Sequence, residues 1–134
     1  MRNRGLEWQR VLPAILAGAV LVSSPVSHAD VPDAGARAWL QCRACHSLKA
    51  DEPDKVGPNL HGMFGSRAGS RRSGFAYSPA LKASGVVWDE ETLDRWIENP
   101  TELIPGTRMA YAGLDDAERR RVLIAFLVSA TRAE

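Results

Sequence analysis

Apolar residues recur at helical spacing in three stretches of the chain. Ala38, Trp39, Cys42, Cys45 and His46 fall on one face of a helix expected over Asp33–Cys45, with Pro32 before it and Asp33 as its N-cap. Leu93, Trp96 and Ile97 set the face of a second helix, Glu90–Asn99. Asp89 caps it, Glu90 and Glu91 suit its positive end, and Pro100 stops it. Leu123, Phe126, Leu127 and Ala130 form the stripe of a third, Asp116–Ala130, whose start Asp115-Asp116-Ala117-Glu118 has the look of a capping box. Arg119-Arg120-Arg121 on that helix reads as a solvated face. The pattern predicts an all-α fold.

Between the first two helices run about forty residues, Ser47–Trp88, rich in Gly, Pro, Ser and Arg and without sustained strand alternation. A short helix near Ser78–Ser84 is the one element expected there. So long a connection argues against a compact domain unless the segment wraps something that is not protein. Small domains short of core are commonly completed by a metal, disulfides or another staple. No repeat period is visible.

The first 29 residues carry a different pattern. Arg2, Arg4 and Arg10 flank an apolar run, Val11–Val22, and Ser27-His28-Ala29 places small residues where a signal peptidase reads them. The expectation is a Sec-type signal peptide over 1–29, cleaved before Asp30, with the working domain over 30–134 in the periplasm. The run is too short, and too interrupted by Pro13, to span a bilayer, which disfavours an uncleaved anchor. Arg2 and Arg4 are not adjacent, so the twin-arginine signal is absent.

Composition narrows the class. The chain has 134 residues, enough for one domain, with 17 Lys+Arg against 16 Asp+Glu. That balance argues against a nucleic-acid partner bound through a basic surface. Two cysteines are too few for a disulfide framework.

Those two cysteines lie in Cys42-Arg43-Ala44-Cys45-His46, the C-x-x-C-H pattern of covalent haem attachment. Residues three apart share a helical face, so both sulfurs can reach the two vinyl groups of one haem c, and His46 follows over the ring face as an iron ligand. A thioredoxin-like pair would need a βαβ context. A zinc site would need more ligands than Cys42, Cys45, His46, His61 and carboxylates. A disulfide at this spacing closes a tiny loop and gains little.

For the second axial position the candidates are His61, Met63 and Met109. Met109 lies in the stiff loop Ile104-Pro105-Gly106-Thr107-Arg108-Met109, far from His46 in sequence and able to reach the opposite ring face. Met63 reads as a core methionine, and His61 as an exposed or backbone-bonded histidine. A thioether opposite imidazole favours reduced iron and raises its potential.

Taken together, these residues resemble the class I c-type cytochromes of the mitochondrial cytochrome c and bacterial c2-like group. The resemblance rests on Gly35 and Trp39, the Cys42–His46 motif, Gly57-Pro58-Asn59-Leu60, Gly74-Phe75-Ala76-Tyr77-Ser78, Trp88, Asn99-Pro100, Pro105-Gly106-Thr107-Arg108-Met109 and Leu123-Ile124-Ala125-Phe126-Leu127. It implies a cytochrome c fold, with three main helices, short helices and long loops wrapped around one covalent haem. It implies that the Pro58 carbonyl accepts the second ring N–H of His46, and that Tyr77 and Trp88 hydrogen-bond a haem propionate. Thr107 joins the haem contacts, and Tyr111 stands where the family has an aromatic at the haem edge. Gly35 and Trp39 would pack against Leu123, Phe126 and Leu127. Three positions depart from the family: Ser66 stands for a common arginine, Leu81 for a buried asparagine, and Trp96 for the tyrosine that bonds the ligand methionine.

The implied function is that of a monomeric one-electron carrier, not an enzyme. Its partners would be redox proteins of the dehydrogenase, cytochrome bc1 or terminal oxidase/reductase type, with no nucleic acid and no stable membrane insertion after signal cleavage. Lys49, Lys55 and Lys82 are few for a docking ring, and Arg43, Arg71, Arg72 and Arg108 are the other basic candidates. The alternative is the haem electron-acceptor subunit of a periplasmic dehydrogenase. A peroxidase or gas sensor would need an open iron face.

Overall fold

The computed structural model describes residues 30–132. The leader expected over 1–29 lies outside them. Five helices follow in order: α1 Asp30–Trp39, α2 Pro79–Ala83, α3 Glu90–Glu98, α4 Pro100–Leu103 and α5 Ala117–Ala130. Among the described residues the extended pairing is one isolated antiparallel bridge, Arg67 with Val87, and no helix is long and apolar enough to cross a membrane.

The centre of the scaffold is α5. Leu123 is fully buried, and Ile124 and Leu127 beside it meet Ala38 and Trp39 of α1 and Leu93, Trp96 and Ile97 of α3. Burying a side chain of this size stabilises by roughly 1.5–3 kcal/mol. The α1–α5 crossing is close because Gly35 has no side chain. A Cβ there would stand 2.5 Å from Phe126 Cβ and 2.6 Å from the Val122 carbonyl oxygen. Trp39 closes the same crossing, its ring centroid 6.5 Å from that of Phe126.

Each helix end has a chemical cause. Asp89 and Thr92 form a reciprocal capping box at α3: the Asp89 carboxylate accepts the Thr92 N–H at 2.7 Å, and Thr92 Oγ1 accepts the Asp89 N–H at 2.9 Å. Asn99 is pushed to an extended conformation before Pro100. Its side chain then caps α4, accepting from Glu102 N–H at 3.3 Å, with Pro100 in the first turn. The apolar pattern gave no sign of α4, because four residues are too few to show a period. Ser78 likewise caps α2, accepting from Leu81 N–H at 3.1 Å.

Three expectations are corrected. The first helix begins at Asp30, ahead of the expected Asp33 cap, and ends at Trp39 rather than Cys45. Beyond it the chain continues in tight turns, with the Cys42 N–H donating to Trp39 O at 2.8 Å and the His46 N–H to Cys42 O at 3.0 Å. At α5 the box does not form. Asp116 caps the helix through Arg119 N–H, and Glu118 pairs forward with Arg121. Arg120 is not on a solvated face: it is 5% exposed. Its guanidinium reaches Asp94 at 2.8 Å and Glu98 at 3.2 Å and donates to the Leu114 and Asp115 carbonyls. A single cation therefore ties α5 to α3 and to the approach to α5.

Candidate haem site

The motif sits on the turns that follow α1. Cys42 is half-buried against the core cluster, and Cys45 is exposed. The turns put two sulfurs three residues apart at the rim of the apolar cluster that also takes Leu60, Leu81, Trp88, Met109 and Tyr111.

His46 is held from two sides. One ring nitrogen, Nδ1, lies 2.7 Å from the Pro58 carbonyl oxygen. Gly57 packs flat against the same ring; a Cβ on Gly57 would collide with Nδ1, Cε1 and Nε2 at once. Burial lowers the imidazole pKa below its usual value, the Pro58 bond opposes that shift, and the Lys55 charge adds to it. The ring is thus favoured in its neutral form. Nδ1–H is spent on Pro58, and no described residue hydrogen-bonds Nε2. A neutral imidazole with one oriented nitrogen and a free second one is the donor arrangement of an iron ligand.

The segment that presents Pro58 is organised by residues to which the sequence assigned no such role. Asn59 is 2% exposed. Its Nδ2 donates to the Lys49 and Glu52 carbonyls, each at 2.7 Å, and its Oδ1 accepts the His61 N–H at 2.8 Å. Its own N–H donates to Asp54 at 2.7 Å, and Asp54 also accepts from Arg72 Nε at 2.9 Å. Lys55 Nζ donates to the Arg43 and His46 carbonyls at 2.8 and 3.2 Å, covering the end of the motif's turn. A side-chain amide bonding its own loop (Asx chemistry) is the one signal in the sequence that could have flagged Asn59.

The other expected contacts divide. Trp88 and Trp96 meet edge to face, centroids 5.5 Å apart, with Trp96 buried and Trp88 partly so. Trp88 is fixed by its backbone: Gly65 N–H donates to its carbonyl at 2.8 Å, and its own N–H to Ser66 O at 3.0 Å. Tyr77 lies apart from the core cluster, edge to face with Phe75 at 4.9 Å, and burial raises its phenol pKa. Thr107 Oγ1 accepts the Met109 N–H at 3.3 Å. Met63 is buried in the core at 6% exposure. His61 is half-buried, held through its backbone to Asn59 and Arg71.

No family model matches the chain. Its relatives are close, however. Cytochrome c2 of Rhodomicrobium vannielii is 40% identical over 121 residues, covering 90% of this chain and 96% of that protein. Cytochrome c of Arabidopsis thaliana is 46% identical over 92 residues, 69% of this chain and 81% of that one. Among solved structures, cytochrome cH from Methylobacterium extorquens superposes with a TM-score of 0.68 at 39% identity, covering 73% of this chain and 97% of that one.

The chain belongs to the class I c-type cytochromes. It has the cytochrome c fold and is a monohaem electron carrier with one haem c, bound covalently through Cys42 and Cys45.

Proposed function

We propose that His46 and Met109 are the two axial ligands, and that the protein passes single electrons between redox proteins of the periplasm without catalysing a reaction of its own. The observation that carries this is the 2.7 Å contact between His46 Nδ1 and the Pro58 carbonyl, which leaves Nε2 as the free donor. The haem supplies the one-electron couple. The chain's residues orient it and set its surroundings. Pro58 and Gly57 fix the imidazole plane. The loop of Met109 brings a thioether to the apolar cluster that also receives Cys42. Trp96 and Trp88 exclude water behind them, and Tyr77 and Trp88 have the O–H and N–H groups suited to a propionate. Thr107 supports the Met109 backbone.

The leader pattern of residues 1–29 supports export, with 30–134 as the haem domain. Partners of the dehydrogenase, cytochrome bc1 or terminal oxidase/reductase type fit a carrier with exposed basic groups such as Arg43, Lys82 and Arg108. The domain works as a monomer.

Two optical measurements test the ligand set. Met109→Ala abolishes the weak near-infrared band of thioether bound to ferric iron; survival of the band removes Met109 from the site. The native ferrous protein takes up carbon monoxide slowly. Rapid uptake would mean an open iron face and would overturn the carrier reading in favour of ligand chemistry.

A further inference from the structure

The segment Pro105–Gly113 carries Met109 between α4 and α5, and both of its flanks are anchored. Ile104 is buried and its N–H donates to Pro100 O at 3.0 Å; Leu114 is buried and its N–H donates to Ile97 O at 2.9 Å. Between these anchors the backbone bonds are local: Thr107 N–H to Ile104 O, and Tyr111 N–H to Met109 O. Among the described residues, two side-chain hydrogen bonds leave this loop. Arg108 donates to the Ala76 carbonyl at 2.7 Å, and the Tyr111 hydroxyl donates to Gln41 Oε1 at 3.0 Å.

The second of these joins residues seventy positions apart. It ends on the residue directly before Cys42. It therefore ties the loop that presents the thioether to the turn that presents the first thioether-forming cysteine. The Tyr111 ring packs against the core cluster, so the ring places the hydroxyl and the hydrogen bond closes the gap.

We propose that Tyr111 and Gln41 are positioning residues: their hydrogen bond latches the Met109 loop shut and sets how often the thioether side of the site opens. The inference rests on Met109 being the second axial ligand. The bond is neutral and lies at the surface, so its loss costs the net value of one such bond, roughly a fivefold change in an opening equilibrium.

The experiment mixes the ferric holoprotein with imidazole and follows its uptake optically. At high imidazole the rate levels off at the rate of loop opening. Tyr111→Phe keeps the ring and removes only the oxygen; it raises that plateau about fivefold. Gln41→Leu gives the same rise, and the double variant rises no further than either single one. Gln41→Glu keeps an acceptor and keeps the native plateau. An unchanged plateau in Tyr111→Phe, or effects of the two single variants that multiply in the double one, overturns the latch. Met109→Ala separates the two ideas. If its near-infrared band persists, the ligand assignment fails and the latch with it. If that band is lost and imidazole enters without a plateau, while Tyr111→Phe behaves as native, the latch alone fails.

Discussion

Leu123 and Asn59 are both enclosed, and for opposite reasons. Leu123 is fully buried because apolar side chains of α1 and α3 surround α5. Asn59 is buried because it bonds the backbone of its own loop at three points. The first kind of burial is non-directional: neighbours can shift and still exclude water. The second is directional, and every atom removed leaves a named carbonyl or N–H without a partner. The helical scaffold is built on the first kind. The segment 40–89, which presents His46, adds the second kind, with Asn59, Asp54, Arg72 and Lys55 each joining separate stretches of chain. The haem-holding half thus depends also on a few placed polar groups, while the other half is shaped by a pattern.

The contrast predicts where the scaffold breaks most sharply. It is insensitive to small apolar exchanges but not at the α1–α5 crossing, where Gly35 faces Phe126 Cβ and the Val122 carbonyl oxygen. Neither atom is at the end of a flexible side chain. Gly35→Val should destabilise by more than about 3 kcal/mol, because the two helices must separate to admit it. Urea unfolding of the holoprotein, followed by far-ultraviolet circular dichroism, measures this. A loss below 1 kcal/mol would mean the crossing is looser than its contacts show.

On the other side of the comparison stands Asn59→Ala. It empties almost no apolar volume, yet it strands the Lys49 and Glu52 carbonyls and the His61 N–H. The expected loss is about 2 kcal/mol, concentrated locally: the His61 amide should lose its protection against hydrogen exchange while amides in α5 keep theirs. Loss of protection spread evenly over the whole chain would show that the loop and scaffold unfold as one unit and that the two kinds of burial are not separable.

This division also explains what the sequence made legible. The faces of α3 and α5 were visible because Leu93, Trp96, Ile97 and Leu123, Phe126, Leu127 repeat at helical period, and periodicity is a local property. Cys42, Cys45 and His46 were visible for the same reason, their chemistry being written in adjacent positions. The end of α1 at Trp39 was not, since Cys42 and Cys45 continue the helical spacing while the backbone goes over to tight turns. Arg120 was misread because its partners, Asp94 and Glu98, lie on another helix, and three consecutive arginines look alike until α3 is in place. The contacts of Lys55 and Gln41 were likewise not visible: one bonds backbone carbonyls, the other a tyrosine seventy residues away. Neither kind of contact leaves a period or a motif.

The smallest effect lies where the two regions meet. Asp89 caps α3, while Thr92 Oγ1 also donates to the Val87 carbonyl at 2.8 Å, so the box joins the end of the wrapping segment to the first turn of a scaffold helix. The Thr92 N–H holds the Asp89 carboxyl below its usual range. A carboxylate whose folded pKa is lowered binds fewer protons folded than unfolded between the two values, so stability rises with pH across that window. The contribution of Asp89 is therefore complete above the ordinary carboxylate pKa of about 4 and lost as pH falls through the lowered value. Asp89→Asn keeps an acceptor for the Thr92 N–H without the charge. Native and variant proteins should differ in thermal midpoint at neutral pH and converge as the medium becomes acid, while groups common to both, such as Glu118 with its Arg121 partner, cancel from the difference. A gap that stays constant down through the acid range would assign the cap's value to geometry alone and remove charge from this junction.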